Sequence, residues 1–159
     1  MEYINYVRIT MNYPDKINNQ PELIYGPSGI GKSYFIDANW AKEDREAEGI
    51  GWTADARKVI PYWLEKKYTR VIVLGVPHLI WIQRIKERSI KDPRRRSVIA
   101  RFHDENDFKE SYVKSIKQLD DNNIPYILID NRNNYPILDK SSFFTMLTEK
   151  YLQLSPETL

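Results

Sequence analysis

Gly26-Pro27-Ser28-Gly29-Ile30-Gly31-Lys32-Ser33 fits the pattern G-x-x-x-x-G-K-[ST] without a mismatch. No other stretch constrains the fold as tightly. Its glycines let consecutive backbone N–H groups turn inward and form a nest for phosphate oxygens. A helix starting near Gly31 adds the positive end of its dipole. The spacing brings Lys32 to the β- and γ-phosphates of a nucleotide and makes the Ser33 hydroxyl a ligand for Mg²⁺. Such an octet works between a strand and a helix, and the flanks supply both. Glu22-Leu23-Ile24-Tyr25, between Pro21 and Gly26, predicts a short buried strand. Lys32 to about Glu48 predicts a helix, ended by Gly49 and Gly51. The plainer alternative is a glycine-rich turn that binds nothing, and four fixed positions in this context argue against it.

The rest of the chain alternates in the same way. Ile50 to Thr53 predicts a second strand. Asp55 is placed to cap a helix to about Tyr68, with Val59, Ile60, Trp63 and Leu64 facing the core. Pro61 falls near enough to that helix's start to be tolerated in its first turn. Arg70-Val71-Ile72-Val73-Leu74 has the nearly continuous apolar character of a central parallel strand. Pro77 opens a helix to about Ser89, and Pro93 prevents it from simply continuing. Asp104 to Asn122 predicts a long helix with Phe108, Tyr112, Ile116 and Leu119 on one face. Ile124 to Ile129 predicts the last strand. Phe144, Leu147 and Tyr151 predict a closing helix, and Tyr6 to Met11 alternates weakly enough for an edge strand. Strand–helix alternation implies an α/β three-layer sandwich around a small, mostly parallel sheet. At 159 residues the expectation is one domain over 1–159.

The chain has no cysteine, which excludes disulfides, thiolate metal sites and cysteine nucleophiles. Met1 to Gln20 lacks the apolar segment of a signal peptide. No stretch approaches the roughly 20 apolar residues that span a bilayer. The expectation is a cytoplasmic protein without a membrane partner. A formal charge of +2 does not by itself imply a nucleic-acid partner.

The phosphate loop resembles that of the small P-loop kinases: nucleotide kinases, polynucleotide kinases and their relatives. Val71-Ile72-Val73-Leu74-Gly75-Val76-Pro77, followed by Arg84 and Arg88, resembles the strand, turn and arginine-bearing helix of the same kinases. The resemblance runs from about Leu23 to Asn131. It implies ATP or GTP with Mg²⁺ as cofactors and an arginine-bearing lid over about 91–101. It places the long helix at Asn106 to Asp121 and the next strand at Pro125 to Asp130. Two departures stand out. The Val71 strand starts only 37 positions beyond Ser33, little room for the substrate-binding insert of nucleoside-monophosphate kinases. That strand also ends Leu74-Gly75, not in an acidic residue. The polynucleotide-kinase pattern fits better: Thr53-Ala54-Asp55-Ala56-Arg57 follows the second strand, with Asp55 23 residues beyond Lys32. The resemblance implies that such an aspartate activates a sugar hydroxyl.

Asp55 is therefore the candidate catalytic base, since a hydroxyl acceptor needs a carboxylate to receive its proton. Its plainer role is a helix cap. Asp37, one turn beyond Ser33, has a water-mediated metal role open to it, and an exposed helical carboxylate is the simpler reading. Among Arg84, Arg88, Arg94, Arg95 and Arg96, at least one is expected to clamp phosphate, because a guanidinium fork binds its oxygens in pairs. Arg88 and Arg95 are the choices, with Lys32, for the catalytic set. His78 and His103 lack partners at metal spacing and read as structural. Trp40, Trp63 and Trp81 read as core, whereas Trp52 lies near the loop tips, where a base can stack. The leading expectation is transfer of the γ-phosphate to a hydroxyl of a nucleoside or nucleic acid, DNA included. The resemblance extends to phage kinases that phosphorylate a hydroxymethylated pyrimidine such as 5-hydroxymethyluracil in DNA, which would place the protein in a host cytoplasm. The alternatives are a kinase of a free nucleotide or other small metabolite, and a nucleotide-binding switch with no acceptor.

Overall fold

In the computed structural model of the chain, which describes residues 11–13, 16–17, 20–45 and 49–150, Val71, Ile72, Val73 and Leu74 have no exposed surface. Successive strand side chains point to opposite faces. A strand buried at four consecutive positions is therefore covered on both sides. These residues form β4 (Arg70–Gly75), the centre of the sheet. Its parallel neighbours are β2 (Glu22–Tyr25) and β5 (Tyr126–Asp130), and β3 (Ile50–Thr53) pairs parallel with the other side of β2. Beyond β5 lie β6 (Pro136–Leu138) and then β1 (Met11–Asn12), both antiparallel to their neighbours. Among the described residues the sheet has six strands in the order β1-β6-β5-β4-β2-β3. The fold is α/β, with a mostly parallel sheet between helices.

The two faces are visible in β2. Glu22 accepts a hydrogen bond from the Tyr13 hydroxyl at 3.0 Å. Tyr13 belongs to an aromatic group with Phe35, Trp40 and, through Phe35, Tyr135. Tyr25, three residues on and so on the other face, meets Ser115 at 3.0 Å and packs against Tyr112. Tyr112 in turn touches Phe108 and Phe143. The register of β2 on β4 sets Glu22 opposite Arg70, whose Nε donates to Glu22 at 2.7 Å. Burial pushes the Glu22 carboxyl up, and Arg70 and Tyr13 oppose that rise.

The helices are α1 (Lys32–Asn39), α2 (Ala56–Lys66), α3 (His78–Lys91), α4 (Arg96–Phe102), α5 (Glu105–Asp121) and α6 (Lys140–Leu147). Phe108, Tyr112, Ile116 and Leu119 of α5 are buried, as their spacing predicts. β4 ends in glycine because α6 packs there: a Cβ on Gly75 would lie 2.6 Å from the Phe143 ring.

Several expectations are corrected. The first helix stops at Asn39, not near Glu48. The Asn39 amide donates to the Phe35 carbonyl at 2.8 Å, and Trp40 turns extended to bury its ring beside Phe35 and Tyr13. A short 3₁₀ turn, Lys42–Asp44, follows, and residues 46–48 lie outside the described set. Leu64 does not face the core but is 62 % exposed. The closing helix buries Phe143, Met146 and Leu147, with Phe144 half-buried, and Tyr151 lies outside the described residues. The last parallel strand starts at Tyr126, because Ile124 is still tied to the Leu119 carbonyl at the end of α5. Of the weakly alternating segment, only Met11 falls in a described strand; residues 6–10 lie outside the described set.

Candidate functional site

The octet turns directly out of β2 into α1. Ile30 N–H donates to the Pro27 carbonyl at 3.1 Å, which closes the turn. Gly29 and Gly31 hold φ of 88° and 99°, in the region L side chains avoid. Gly31 is also the N-cap of α1, and a Cβ there would lie 2.7 Å from the Asn131 amide nitrogen. No side chain caps α1, so its first N–H groups stay free of such a partner.

Two distant elements fix the loop. Trp81 of α3 has no exposed surface, and its indole N–H donates to the Ser28 carbonyl at 2.9 Å. Asn131, just past β5, donates to the carbonyls of Ile30 and Gly31, each at 3.1 Å. Its own carbonyl oxygen, also buried, has no hydrogen-bond partner among the described residues.

The loop floors a cavity of about 350 Å³. Lys32, Ser33, Arg88 and Arg95 line it together with Tyr34, Trp52, Thr53 and Ala54. The lining contains three cationic side chains and no carboxylate. Lys32 folds back over its own loop and donates to the carbonyls of Gly26 at 2.6 Å and Pro27 at 3.1 Å. Burial, then Arg88 and Arg95, lowers its pKa to about 8. Arg95 comes from the 3₁₀ turn Pro93–Arg95 between α3 and α4 and donates to the Ser28 hydroxyl. Arg84, one turn before Arg88 on α3, approaches Gly31, and burial lowers its pKa.

The structure thus brings Ser28, Gly29, Gly31, Lys32 and Ser33 of the octet together with Arg88 and Arg95 at one cavity. Arg94 points elsewhere: it is 91 % exposed on its side chain and pairs with Asp92 at 2.9 Å. Arg96 is exposed outside the lining. Asp37 is exposed and paired with Arg45. Asp55 stands just beyond Thr53 and Ala54 without lining the cavity itself. It caps α2, accepting from Arg57 N–H at 2.9 Å, and holds the Arg57 guanidinium at 3.0 and 3.1 Å. Those bonds keep the Asp55 carboxyl below its ordinary range. His78 is buried between Trp81 and Phe108, with Nε2 2.9 Å from the Phe102 carbonyl, which suits a structural role. Trp40 and Trp81 are core, Trp63 is half-buried, and Trp52 is 56 % exposed.

Sequence reasoning passed over Asn131 and the loop-fixing bond of Trp81. Asn131 begins an Asn-Arg-Asn-Asn run with no periodicity, and Trp81 carried only its apolar character. Neither contact reaches across fewer than 50 residues, so no local signal could mark it. Among the described residues there is no group of three His, Cys, Asp or Glu able to hold a metal, and no helix long and apolar enough to cross a membrane. A scan against protein-family models and a search of curated proteins return no match to this chain.

Proposed function

We propose that this protein binds a nucleoside triphosphate with Mg²⁺ and transfers its γ-phosphate to a hydroxyl of a nucleoside or nucleic acid. One observation carries the reading: Lys32, Arg88 and Arg95 converge with the glycine loop on a single cavity that no carboxylate lines. Three cations in one small cavity repel one another, and burial first, then that repulsion, lowers the pKa of Lys32. A triphosphate supplies the missing negative charge. The loop's inward N–H groups and the free N-terminal end of α1 suit its oxygens.

The residues also fit the metal. The exposed Ser33 hydroxyl opens α1 and is the one protein ligand the motif requires. Mg²⁺ keeps most of its waters and takes phosphate oxygens, so it needs no acidic cage. Bound there, it would neutralise charge between the β- and γ-phosphates.

In the proposed reaction the acceptor oxygen bonds to the γ-phosphorus as the bond to the β–γ bridging oxygen breaks. Lys32, Arg88 and Arg95 hold charge on the transferring and leaving oxygens. Asp55 receives the hydroxyl proton after turning from Arg57 toward the cavity.

The test is transfer of labelled γ-phosphate to free nucleosides, nucleotides, 5′-hydroxyl DNA and hydroxymethyl-base DNA in parallel. Transfer to any of the polymeric or nucleoside acceptors supports the reading. Label released only as inorganic phosphate favours a switch, and failure to bind any triphosphate removes the reading.

A further inference from the structure

Among the described residues, the only two exposed aromatic side chains are Tyr34, 79 % exposed, and Trp52, 56 % exposed. Both line the same cavity, the one holding the phosphate loop. Every other described aromatic ring is buried or half-buried. Single exposed apolar residues are ordinary. Their confinement to one cationic cavity is not what scattered exposure would give.

The two differ in position. Tyr34 directly follows Ser33 on α1, so it belongs to the side that holds the triphosphate. Trp52 lies on β3, the edge strand, opposite Ile24 of β2. It leads through Thr53 and Ala54 to Asp55, the residue proposed to take the acceptor's proton. A group stacked on Trp52 is therefore held on the acceptor side. Arg88 and Arg95 line the same cavity and keep positive charge beside that group.

We infer that Trp52 is a stacking platform for an unpaired base of the acceptor, so that the site selects single-stranded or base-opened nucleic acid over closed duplex. A flat indole with cations beside it is the arrangement by which single strands are held without sequence readout. A base inside a closed duplex cannot offer its face to Trp52 without unstacking. The inference deepens the proposed kinase reading and rests on it for the term acceptor, while the stacking contact stands on binding alone.

The experiment measures anisotropy of a labelled oligothymidine strand, and of the same sequence as a duplex, on the whole protein at low salt. Wild type is compared with Trp52→Phe, Trp52→Ala and Tyr34→Ala, each checked for an unchanged melting temperature. Triphosphate binding and γ-phosphate transfer are measured on the same samples. Trp52→Ala is expected to weaken strand binding roughly 5- to 150-fold, the range of one base–aromatic stack. Trp52→Phe, which keeps a ring, should retain most of the affinity and serves if the alanine variant is unstable. Triphosphate affinity should stay unchanged in both. Equal binding of strand and duplex by wild type, or strand binding indifferent to Trp52, overturns the inference even where transfer is intact. A loss confined to Tyr34→Ala overturns the assignment to Trp52. Trp52-dependent strand binding with no transfer to any acceptor overturns the kinase reading and leaves the stacking site in place.

Discussion

Asn131 donates one amide nitrogen to the Gly31 carbonyl at 3.1 Å, joining the end of β5 to the turn that starts α1 across 100 residues of sequence. The same nitrogen lies 3.1 Å from the Ile30 carbonyl. These bonds fix the backbone of the loop where it enters α1. The loop's shape depends on this tether as well as on its glycines.

Asn131→Asp should therefore be worse than Asn131→Ala. Alanine leaves the Ile30 carbonyl without this donor, while the Gly31 carbonyl keeps the Phe35 N–H at 3.0 Å, a loss of about 1–3 kcal/mol in unfolding free energy. Aspartate adds an acceptor facing acceptors at a position 6 % exposed. Both variants should also weaken triphosphate binding, the aspartate more. Urea denaturation and a triphosphate titration on each protein check this. Stability of both variants equal to wild type would show that the tether is unimportant.

The extent to which this was legible in sequence follows from the range of each signal. The octet, β2, β4 and α5 rest on local patterns: fixed glycines, apolar runs and a four-residue periodicity. Each is found where the residues predict it. The cut-off of α1 at Asn39 was not legible, because Trp40 leaves the helix to join Tyr13, a residue 27 positions earlier. The tethers of Trp81 and Asn131 are long-range for the same reason. Leu64 had the right spacing for the core, but α2 buries only Val59 fully.

Lys32 makes triphosphate binding depend on pH. Its pKa is about 8 in the free protein, below the ordinary lysine value of 10.5. A bound triphosphate favours the ammonium and raises that pKa. Below pH 8 Lys32 is already charged in the free protein, so affinity should be flat on its account. Above pH 8 the free protein has lost the proton and binding must take one up. Affinity should then fall, approaching about tenfold per pH unit. Calorimetry in two buffers between pH 7.5 and 9.5 reads both the slope and the proton uptake. Lys32→Met should flatten the profile and abolish transfer with the fold intact. The same slope in Lys32→Met would assign the titration to another group.

Arg95 reaches Ser28 from the 3₁₀ turn between α3 and α4. Triphosphate should draw this guanidinium from the hydroxyl to phosphate oxygens and slow amide exchange over residues 91–101. Arg95→Ala should weaken triphosphate binding roughly 10- to 100-fold, the range of a charge-assisted hydrogen bond. It should also remove the slowing. Exchange over 91–101 that triphosphate leaves unchanged in wild type would identify the segment as a static surface.

Asp55→Asn separates a base from a cap. The carboxylate now spends both oxygens on Arg57, with one also accepting the Arg57 backbone N–H at 2.9 Å. Asparagine caps about as well as aspartate, so a purely structural Asp55 tolerates the change at almost no cost. It cannot accept the acceptor's proton. A general base contributes about 10²–10⁴-fold to rate, so kcat should fall by that factor while triphosphate affinity holds. Arg57→Ala supplies the converse. It keeps the backbone cap on one carboxylate oxygen and frees the other, and it lets the Asp55 pKa return toward the ordinary range, because the Arg57 side chain is the first cause of its depression. If Asp55 is the base, kcat in Arg57→Ala should equal or exceed wild type, and the acidic limb of its pH–rate profile should move to higher pH. Activity then requires the deprotonated carboxylate, and a raised pKa shifts its loss upward. Steady-state kinetics on a hydroxyl acceptor, with the triphosphate dissociation constant measured on the same samples, decide the matter. A kcat within about threefold of wild type in Asp55→Asn, far below the general-base range, would leave Asp55 as the cap of α2.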